Sequence, residues 1–267
     1  SSAVELHRLM TAERVLLEET LSGSVKMLTE VLAITSPAAF GRGNRIKQLV
    51  TDIMDHVPVP ERWQVEVASM LSQLAAIILP AETAEKVYFG LPLTEEETRM
   101  VERGPAVADG LIANIPRLEG VREILARVRG ERPSRRPGPE EEGIALGAEV
   151  LGAAVAFDLL EAQGTEVGQA VDLLRARNRH DRRVIDALKA ARAPDSSGDS
   201  IREISLANLR VGMILADDIR MVNGSLLAAR GFEVGQSFVE RAANFAPGVV
   251  VEPVRVLVRA GGADSGS

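Results

Sequence analysis

The stretch ASMLSQLAAIILP, residues 68–80, is apolar almost throughout, but two adjacent polar residues, Ser72 and Gln73, interrupt it in the middle. It lies in a segment from Pro60 to Leu79 that predicts a single helix, with Pro60 at the start, where proline is favoured. A polar pair at the centre of such a run raises the question of which residues a helix of this kind would carry there. Which residues belong in that gap decides how the rest of the chain is interpreted.

The composition favours a soluble, mostly helical protein. Of 267 residues, 46% are hydrophobic but only 3% are aromatic, so the core must be built from aliphatic side chains, which suits packed helices. The absence of cysteine excludes disulfides, thiolate catalysis and cysteine-bound metals, and it fits a cytoplasmic location. A net charge of −7 argues against a nucleic-acid polymer as partner. A membrane span needs about 18–20 apolar residues, and we expect charges to interrupt every apolar run before that length, so we predict no membrane association.

The sequence pattern divides the chain into a long helix, an all-helical domain and a small α+β module. The expected segments are 1–34 for the signalling or dimerisation helix, 35–192 for the helical domain, 193–200 for the linker APDSSGDS, 201–258 for the module and 259–267 for a disordered tail. Asn223-Gly224 predicts a β-hairpin inside the module. The predicted fold class is therefore mainly α, with a small α+β module at the C-terminus.

The first helix carries one narrow apolar stripe. Its members recur at steps of three, four or seven residues: Met10, Leu17, Leu21, Val25, Leu28 and Leu32. Such a stripe is typical of a dimerising coiled coil, but it also suits a helix that packs on its own domain. A homodimer through residues 5–34 is one interpretation, and both stay open. Because the opening SSAVELHRL lacks Met, we expect an upstream receiver or sensor domain to precede this fragment.

Several motifs resemble, in order, the HD-GYP branch of the HD-domain superfamily. The segments that carry the resemblance are SPAAFGRGNRIKQLV, ASMLSQLAAIILP, LTEEETRMVERGPAVADGLIANIP, VREILARVRGERP and GIALGAEVLGAAVAFDLLEA. The resemblance covers roughly residues 1–192. It implies an all-helical, metal-dependent phosphohydrolase of the kind that degrades cyclic di-GMP at the output of two-component pathways. In such a site, divalent metals turn a bridging water into a hydroxide that attacks phosphorus.

The positions that match the family's metal ligands carry other residues. Ser72 and Gln73 stand where the family has His-Asp, and Ala76 stands where it has Lys. The remaining positions are Arg42 for the first His, Gly104 for the His before Pro105, Arg127 and Val128 for the paired histidines, and Val155 for the last Asp. Because a neutral hydroxyl and an amide cannot hold a catalytic metal by themselves, we predict no metal, no cofactor and no active site.

The chain's literal His-Asp pair, His180-Asp181, is not expected to be that metal site. It opens the last helix of the domain, where Asp181 suits the N-cap position. His7 and His56 stand alone in their neighbourhoods. In the C-terminal module, Gly212, Gly224 and Gly231 are predicted to be turn residues with positive φ.

A cluster of arginines forms the remaining candidate site. Arg127 precedes the loop RGERPSRRPGPEEEG and Arg129 is its first residue, and planar guanidinium groups suit phosphate. Together with Arg42 they are the candidates for binding a cyclic dinucleotide in a pocket without metal. The alternative is a solvated loop whose arginines are neutralised by Glu140–Glu142.

Three functions follow from these patterns. The first is a catalytically inactive signalling output that acts through protein contacts or dimerisation. The second is a non-hydrolysing sensor of cyclic di-GMP or another nucleotide, and the third is a phosphohydrolase with non-standard ligands.

Overall fold

The computed structural model describes residues 21, 23–131, 141–192 and 200–258. The linker at 193–199, the tail at 259–267 and the arginine loop at 132–140 lie outside the described residues, as do His7, Met10 and Leu17. The helices of the large domain are, in chain order, α1 (23–35), α2 (Pro37–Met54), α3 (Arg62–Leu71), α4 (Ala81–Phe89), α5 (Glu95–Ile112), α6 (Glu119–Val128), α7 (Glu141–Ala162), α8 (Val167–Arg177) and α9 (Arg182–Ala191). The predicted fold class is confirmed.

The helices pack around α7, a largely apolar helix that contributes Val150, Leu151 and Phe157 to the core. It packs against α2, α3, α6, α8 and α9, and its Phe157 is fully buried. By length and composition α7 could also cross a membrane, so the expectation that no run approaches that length is wrong. Half of its apolar window is buried inside the fold, and the core helix of a water-soluble domain passes the same test.

The segment Pro60–Leu79 does not form the single helix that its apolar pattern predicts. The α-helix α3 ends at Leu71, and a 3₁₀ turn, Leu74–Ile78, follows the polar pair. Ser72 Oγ donates a hydrogen bond to the backbone oxygen of Ser69 at 2.7 Å, and Gln73 has φ −97° and ψ 1°, outside the α-helical range. The pair is therefore the point where the α-helix gives way to the tighter 3₁₀ turn.

Helix α5 begins with the capping box that the sequence predicts. Thr94 Oγ1 accepts from the backbone N–H of Glu97, and Glu97 Oε2 accepts from the backbone N–H of Thr94 at 2.8 Å. The other Glu97 oxygen accepts from Lys86 Nζ at 2.7 Å, which ties α4 to α5. Helix α4 itself was not expected from the sequence.

We expect this cap to make the free energy of unfolding depend on pH in the acid range. The Lys86 ammonium and the Thr94 N–H lower the pKa of Glu97 to about 2, so its stabilising effect is full above the ordinary glutamate pKa and is lost as pH falls through about 2. Urea denaturation at pH 5 and pH 3 should show a larger loss for the natural protein than for Glu97→Gln. The matched control Glu96→Gln, at an exposed neighbour, should keep the natural pH dependence. Equal pH dependence in Glu97→Gln and the natural protein would contradict the assignment.

The C-terminal module has two small antiparallel sheets and one helix. One sheet has the strand order β1-β5-β2 and consists of β1 (Ser200–Ile204), β2 (Ile214–Leu215) and β5 (Val254–Val258). The second sheet is the hairpin of β3 (Ile219–Arg220) and β4 (Leu226–Ala228). The helix α10 spans Gln236–Ala243. The hairpin turn holds Asn223-Gly224 as predicted. Gly212, Gly224 and Gly231 all have positive φ, between 81° and 88°, which confirms their predicted role.

The module packs on the helical domain through α2 and α4. The rings of Phe40 and Phe232 meet edge to face with centroids 4.9 Å apart. Beside them the backbones of Gly41 and Gly231 approach so closely that a β-carbon on Gly231 would lie 3.0 Å from the Gly41 carbonyl oxygen. Phe40 is thereby part of the module's own core.

The stripe predicted on the first helix packs against this same chain over its described part. Val25 and Leu32 are buried, and Leu21 and Leu28 pack against the main core. A second set of apolar side chains, Met27, Val31 and Ile34, lies exposed on another face of α1.

Candidate functional site

The residues at the expected ligand positions lie on several packed elements: Arg42 on α2, Ser72, Gln73 and Ala76 at and after the end of α3, Gly104 on α5 and Val155 on α7. Gly43 of α2 faces the side chain of Gln73. Gly104 of α5 packs on the 3₁₀ turn, where an added β-carbon would lie 3.0 Å from both the Cβ and the carbonyl oxygen of Ala75. Glycine at position 104 therefore allows a close approach of two backbones, which is a structural reason for that residue. Val155 is partly buried on α7 and packs against the core.

The side chains of Ser72 and Gln73 form hydrogen bonds with residues close to them in the chain. The Ser72 hydroxyl donates to the Ser69 carbonyl, and Gln73 Nε2 donates to Ser72 Oγ at 3.2 Å. Ala76 lies in the following 3₁₀ turn and offers only its backbone oxygen, which accepts from Leu79. These side chains hold the local turn in place.

A buried cluster of charges dominates the site, and the sequence analysis identified only one of its members. Asp158 of α7 is fully buried, and its two carboxylate oxygens accept from two different arginines of α2. Arg42 Nε lies 3.0 Å from Asp158 Oδ2, and Arg45 Nε lies 2.8 Å from Asp158 Oδ1. The arginine side chains are only 14% and 12% exposed, so the cluster is largely shielded from water.

Arg45 also connects the helical domain to the C-terminal module. Its Nη1 donates to the hydroxyl of Tyr88 on α4 at 3.2 Å and to the backbone oxygen of Arg230 at 2.7 Å. Burial disfavours the charge of Arg45, but the charges and hydrogen bonds of Asp158 and Tyr88 outweigh it and raise the pKa of Arg45 above its ordinary value. For Tyr88, burial disfavours the ionised phenolate and raises the pKa of Tyr88, although the charge of Arg45 opposes this rise. Arg45 therefore stays cationic while it joins α2, α4, α7 and the module.

These residues do not fit the metal centre that the resemblance implies. Divalent metals need carboxylate oxygens or imidazole nitrogens, and the one buried carboxylate at the site is already shared by two guanidinium groups. Within residues 21, 23–131, 141–192 and 200–258, no three His, Asp or Glu side chains are placed to hold a metal. The cationic charge at this point of the fold is supplied by Arg42 and Arg45.

The three arginines predicted to bind a nucleotide are not brought together. Arg127 pairs with Glu123 and with Glu141 at the start of α7, and Arg129 Nε lies 2.7 Å from Glu131 Oε1. Arg42 pairs with Asp158, 17 residues further along α7 than Glu141. Since a helix rises 1.5 Å per residue, Glu141 and Asp158 are separated by about 25 Å along α7. Arg42 and Arg127 therefore cannot contact one phosphate group, and the neighbouring Val128 packs against the core.

The His180-Asp181 pair has a structural role. Asp181 is the N-cap of α9 and accepts from the backbone N–H of Arg183. His180 Nδ1 lies 3.5 Å from Glu149 Oε2, and its ring packs over Gly152. Both roles fix the start of α9 against α7.

Comparison with families of known proteins gives a match that spans this site. The family model described as HD domain matches residues 26–184, which is more than half of the chain. The match begins in α1 and ends in α9, so it covers the helical domain and leaves the C-terminal module outside. No curated protein and no solved structure matches the chain.

Proposed function

We propose that this chain, which belongs to the HD-domain family, is a catalytically inactive member that acts as a signalling output through protein contacts. The family is of the metal-dependent phosphohydrolase type. The observation that carries the proposal is the buried cluster of Arg42, Arg45 and Asp158, since two cations already neutralise the one buried carboxylate of the site. Bringing in a divalent metal would require displacing a guanidinium from that carboxylate.

The chemistry of the site supports the same conclusion. Hydrolysis at phosphorus in such a domain needs a water whose pKa is lowered by a metal. Ser72, Gln73 and Ala76 offer a hydroxyl, an amide and a methyl group, and the first two are engaged in local hydrogen bonds. None of the three can replace a carboxylate or imidazole ligand.

The assay that tests the proposal is hydrolysis of cyclic di-GMP and of bis(p-nitrophenyl) phosphate with Mn²⁺. An active HD-domain phosphodiesterase serves as the positive control. We expect the rate to equal that of buffer containing Mn²⁺ and to be unchanged by EDTA. Mn²⁺-dependent product release that EDTA abolishes would contradict the proposal and favour a phosphohydrolase with non-standard ligands.

We propose a second copy of the chain as a partner, bound through the exposed face of α1. Met27, Val31 and Ile34 are spaced by four and three residues, the spacing of a coiled-coil seam, and Met27 and Ile34 are 68% and 61% exposed. In the preceding sequence, Leu17 and Met10 stand two and three heptads before Val31, and polar Ser24 occupies the heptad position between Leu17 and Val31. A self-complementary seam of this kind suits a symmetric dimer.

A single charge on this seam is expected to convert a dimer into a monomer. Val31→Glu places a carboxylate opposite its symmetry mate, so light scattering with gel filtration should give half the mass of the natural protein. The matched control is Leu173→Glu on α8, because Leu173 is 42% exposed and Val31 39%. A natural protein that is monomeric at every concentration, or a Val31→Glu variant that stays dimeric, would contradict the seam.

The wider role that we propose is cytoplasmic output in a two-component pathway, downstream of a receiver or sensor domain. The position of α1 supports it, because α1 precedes the helical domain and packs on its core through Val25. A change in the packing or register of α1 would thus reach the whole domain.

A further inference from the structure

A polar cleft of about 400 Å³ lies between the helical domain and the C-terminal module. Arg45, Tyr88 and Glu161 line it from the helical domain, and Asp217, Asp218 and Arg230 line it from the module. The cleft adjoins the Arg42–Asp158–Arg45 cluster, and Arg45 belongs to both. Its volume lies within the range of small-molecule sites.

The carboxylates of the cleft already have cationic partners. Glu161 pairs with Arg192 at 2.9 Å, and Asp217 pairs with Arg255 at 2.6 Å. Asp218 accepts from the backbone N–H of Arg230 at 2.8 Å and lies 3.6 Å from Arg220. Each carboxylate has its charge compensated but retains lone pairs that can accept from a ligand.

The arginines of the cleft, in contrast, have unused donors. Within the part of the chain that the structure describes, the Arg230 guanidinium makes no hydrogen bond and no ion pair. Arg45 uses Nε and Nη1 for Asp158, Tyr88 and the Arg230 carbonyl, which leaves Nη2 without an acceptor among the same residues. The Arg45 guanidinium carbon lies 5.4 Å from the centre of the Tyr88 ring, and Arg230 lines the same cleft as Tyr88. The free N–H donors of Arg45 and Arg230 are therefore available to an anionic acceptor that enters the cleft.

We propose that the cleft binds a small phosphate monoester that carries hydroxyl groups. Its phosphate would accept from Arg45 Nη2 and from the Arg230 guanidinium, whose planar forks suit phosphate oxygens. Its hydroxyl groups would donate to the free lone pairs of Asp217, Asp218 and Glu161. The volume exceeds that of inorganic phosphate alone, which leaves room for the body of the ligand. This inference does not depend on whether the domain is catalytic.

The ligand would also stabilise the contact between the two parts of the chain. Arg230 belongs to the module and Arg45 to the helical domain, so one phosphate on both would bridge them. A compound that binds only the docked arrangement shifts the equilibrium toward docking in proportion to its binding.

The chain's single tyrosine gives a direct test, because Tyr88 lines the cleft. In protein labelled with 3-fluorotyrosine, ¹⁹F NMR should show one resonance that shifts saturably with glycerol 3-phosphate at constant ionic strength. Inorganic phosphate should shift it with weaker affinity, and acetate should shift it least. If acetate binds as tightly as phosphate, the assignment to a phosphate monoester is overturned.

The matched variants are Arg230→Gln and Arg202→Gln. Arg230→Gln removes a guanidinium that has no hydrogen bond or ion pair with the residues that the structure describes, and we expect affinity for glycerol 3-phosphate to fall at least tenfold without loss of fold. Arg202→Gln, on exposed β1, should bind as the natural protein does. No saturable shift, or equal affinity in Arg230→Gln, would mean an adventitious ion only and would overturn the proposal.

Discussion

Replacement of Asp158 by Asn is expected to destabilise the protein by about 3–5 kcal/mol, the usual cost of removing one partner from a buried ion pair. The loss is large because the substitution leaves the two guanidinium groups of Arg42 and Arg45 buried without their counter-charge. Their side chains are 14% and 12% exposed, so water cannot take over that role. Urea denaturation followed by circular dichroism measures the change in the free energy of unfolding.

The matched control is Asp109→Asn. Asp109 accepts two hydrogen bonds from Arg122, at 2.8 and 2.7 Å, but both side chains are more than a third exposed. The same chemical change should therefore cost under about 1 kcal/mol. If Asp158→Asn and Asp109→Asn cost the same, the charge cluster is not the buried centre that the structure indicates.

Replacement of Gly231 by Ala is expected to disrupt the docking of the C-terminal module, at a cost of about 2–5 kcal/mol. One part of the cost is backbone strain, because φ at Gly231 is +81°. The other part is a clash, since the added β-carbon would lie 2.3 Å from Arg45 Cγ. Arg45 cannot move away without losing its hydrogen bonds to Asp158 and Tyr88. Thermal and urea denaturation measure the loss, and the ¹⁹F resonance of labelled Tyr88 reports on the docked cleft.

Gly248→Ala separates the two parts of that cost. Gly248 lies in the same module with φ +82°, but no atom lies within 4 Å of an added β-carbon. It should lose only the strain of about 1–2 kcal/mol and leave the Tyr88 resonance in place. Equal losses in the two variants would show that the contact between Gly231 and α2 contributes nothing.

Local signals in the sequence predicted local structure well. Thr94 and Glu97 predicted the start of α5, Asp181 predicted the cap of α9, and Asn223-Gly224 predicted the hairpin. Each of these depends on hydrogen bonds between residues two or three positions apart, so the sequence alone contains the whole interaction.

The buried charge cluster was not predicted, because its partners are 113 and 116 residues apart. Arg42 was singled out for the position it occupies, while Arg45 and Asp158 were missed. One signal was available: Asp158 stands inside a long apolar helix, and a buried carboxylate must be paired. The sequence does not show which cation pairs with it.

The polar pair at Ser72 and Gln73 shows a second limit of the sequence pattern. The apolar pattern on both sides of the pair predicted one helix through the segment, yet the backbone changes from an α-helix to a 3₁₀ turn at that point. The cause is tertiary packing as well as local hydrogen bonding, since α5 meets the turn at Gly104. Similarly, periodicity could not say which face of α1 is buried, because both faces carry apolar residues.

Our central proposal is that Arg42 and Arg45 supply the positive charge at the site where the resemblance implies a metal. The most direct measurement is the metal content of the purified protein after incubation with Mn²⁺ and gel filtration into metal-free buffer. We predict no stoichiometric metal, both in the natural protein and in Asp158→Asn. One or more equivalents of metal per chain, removed by EDTA and absent from Asp158→Asn, would contradict the claim.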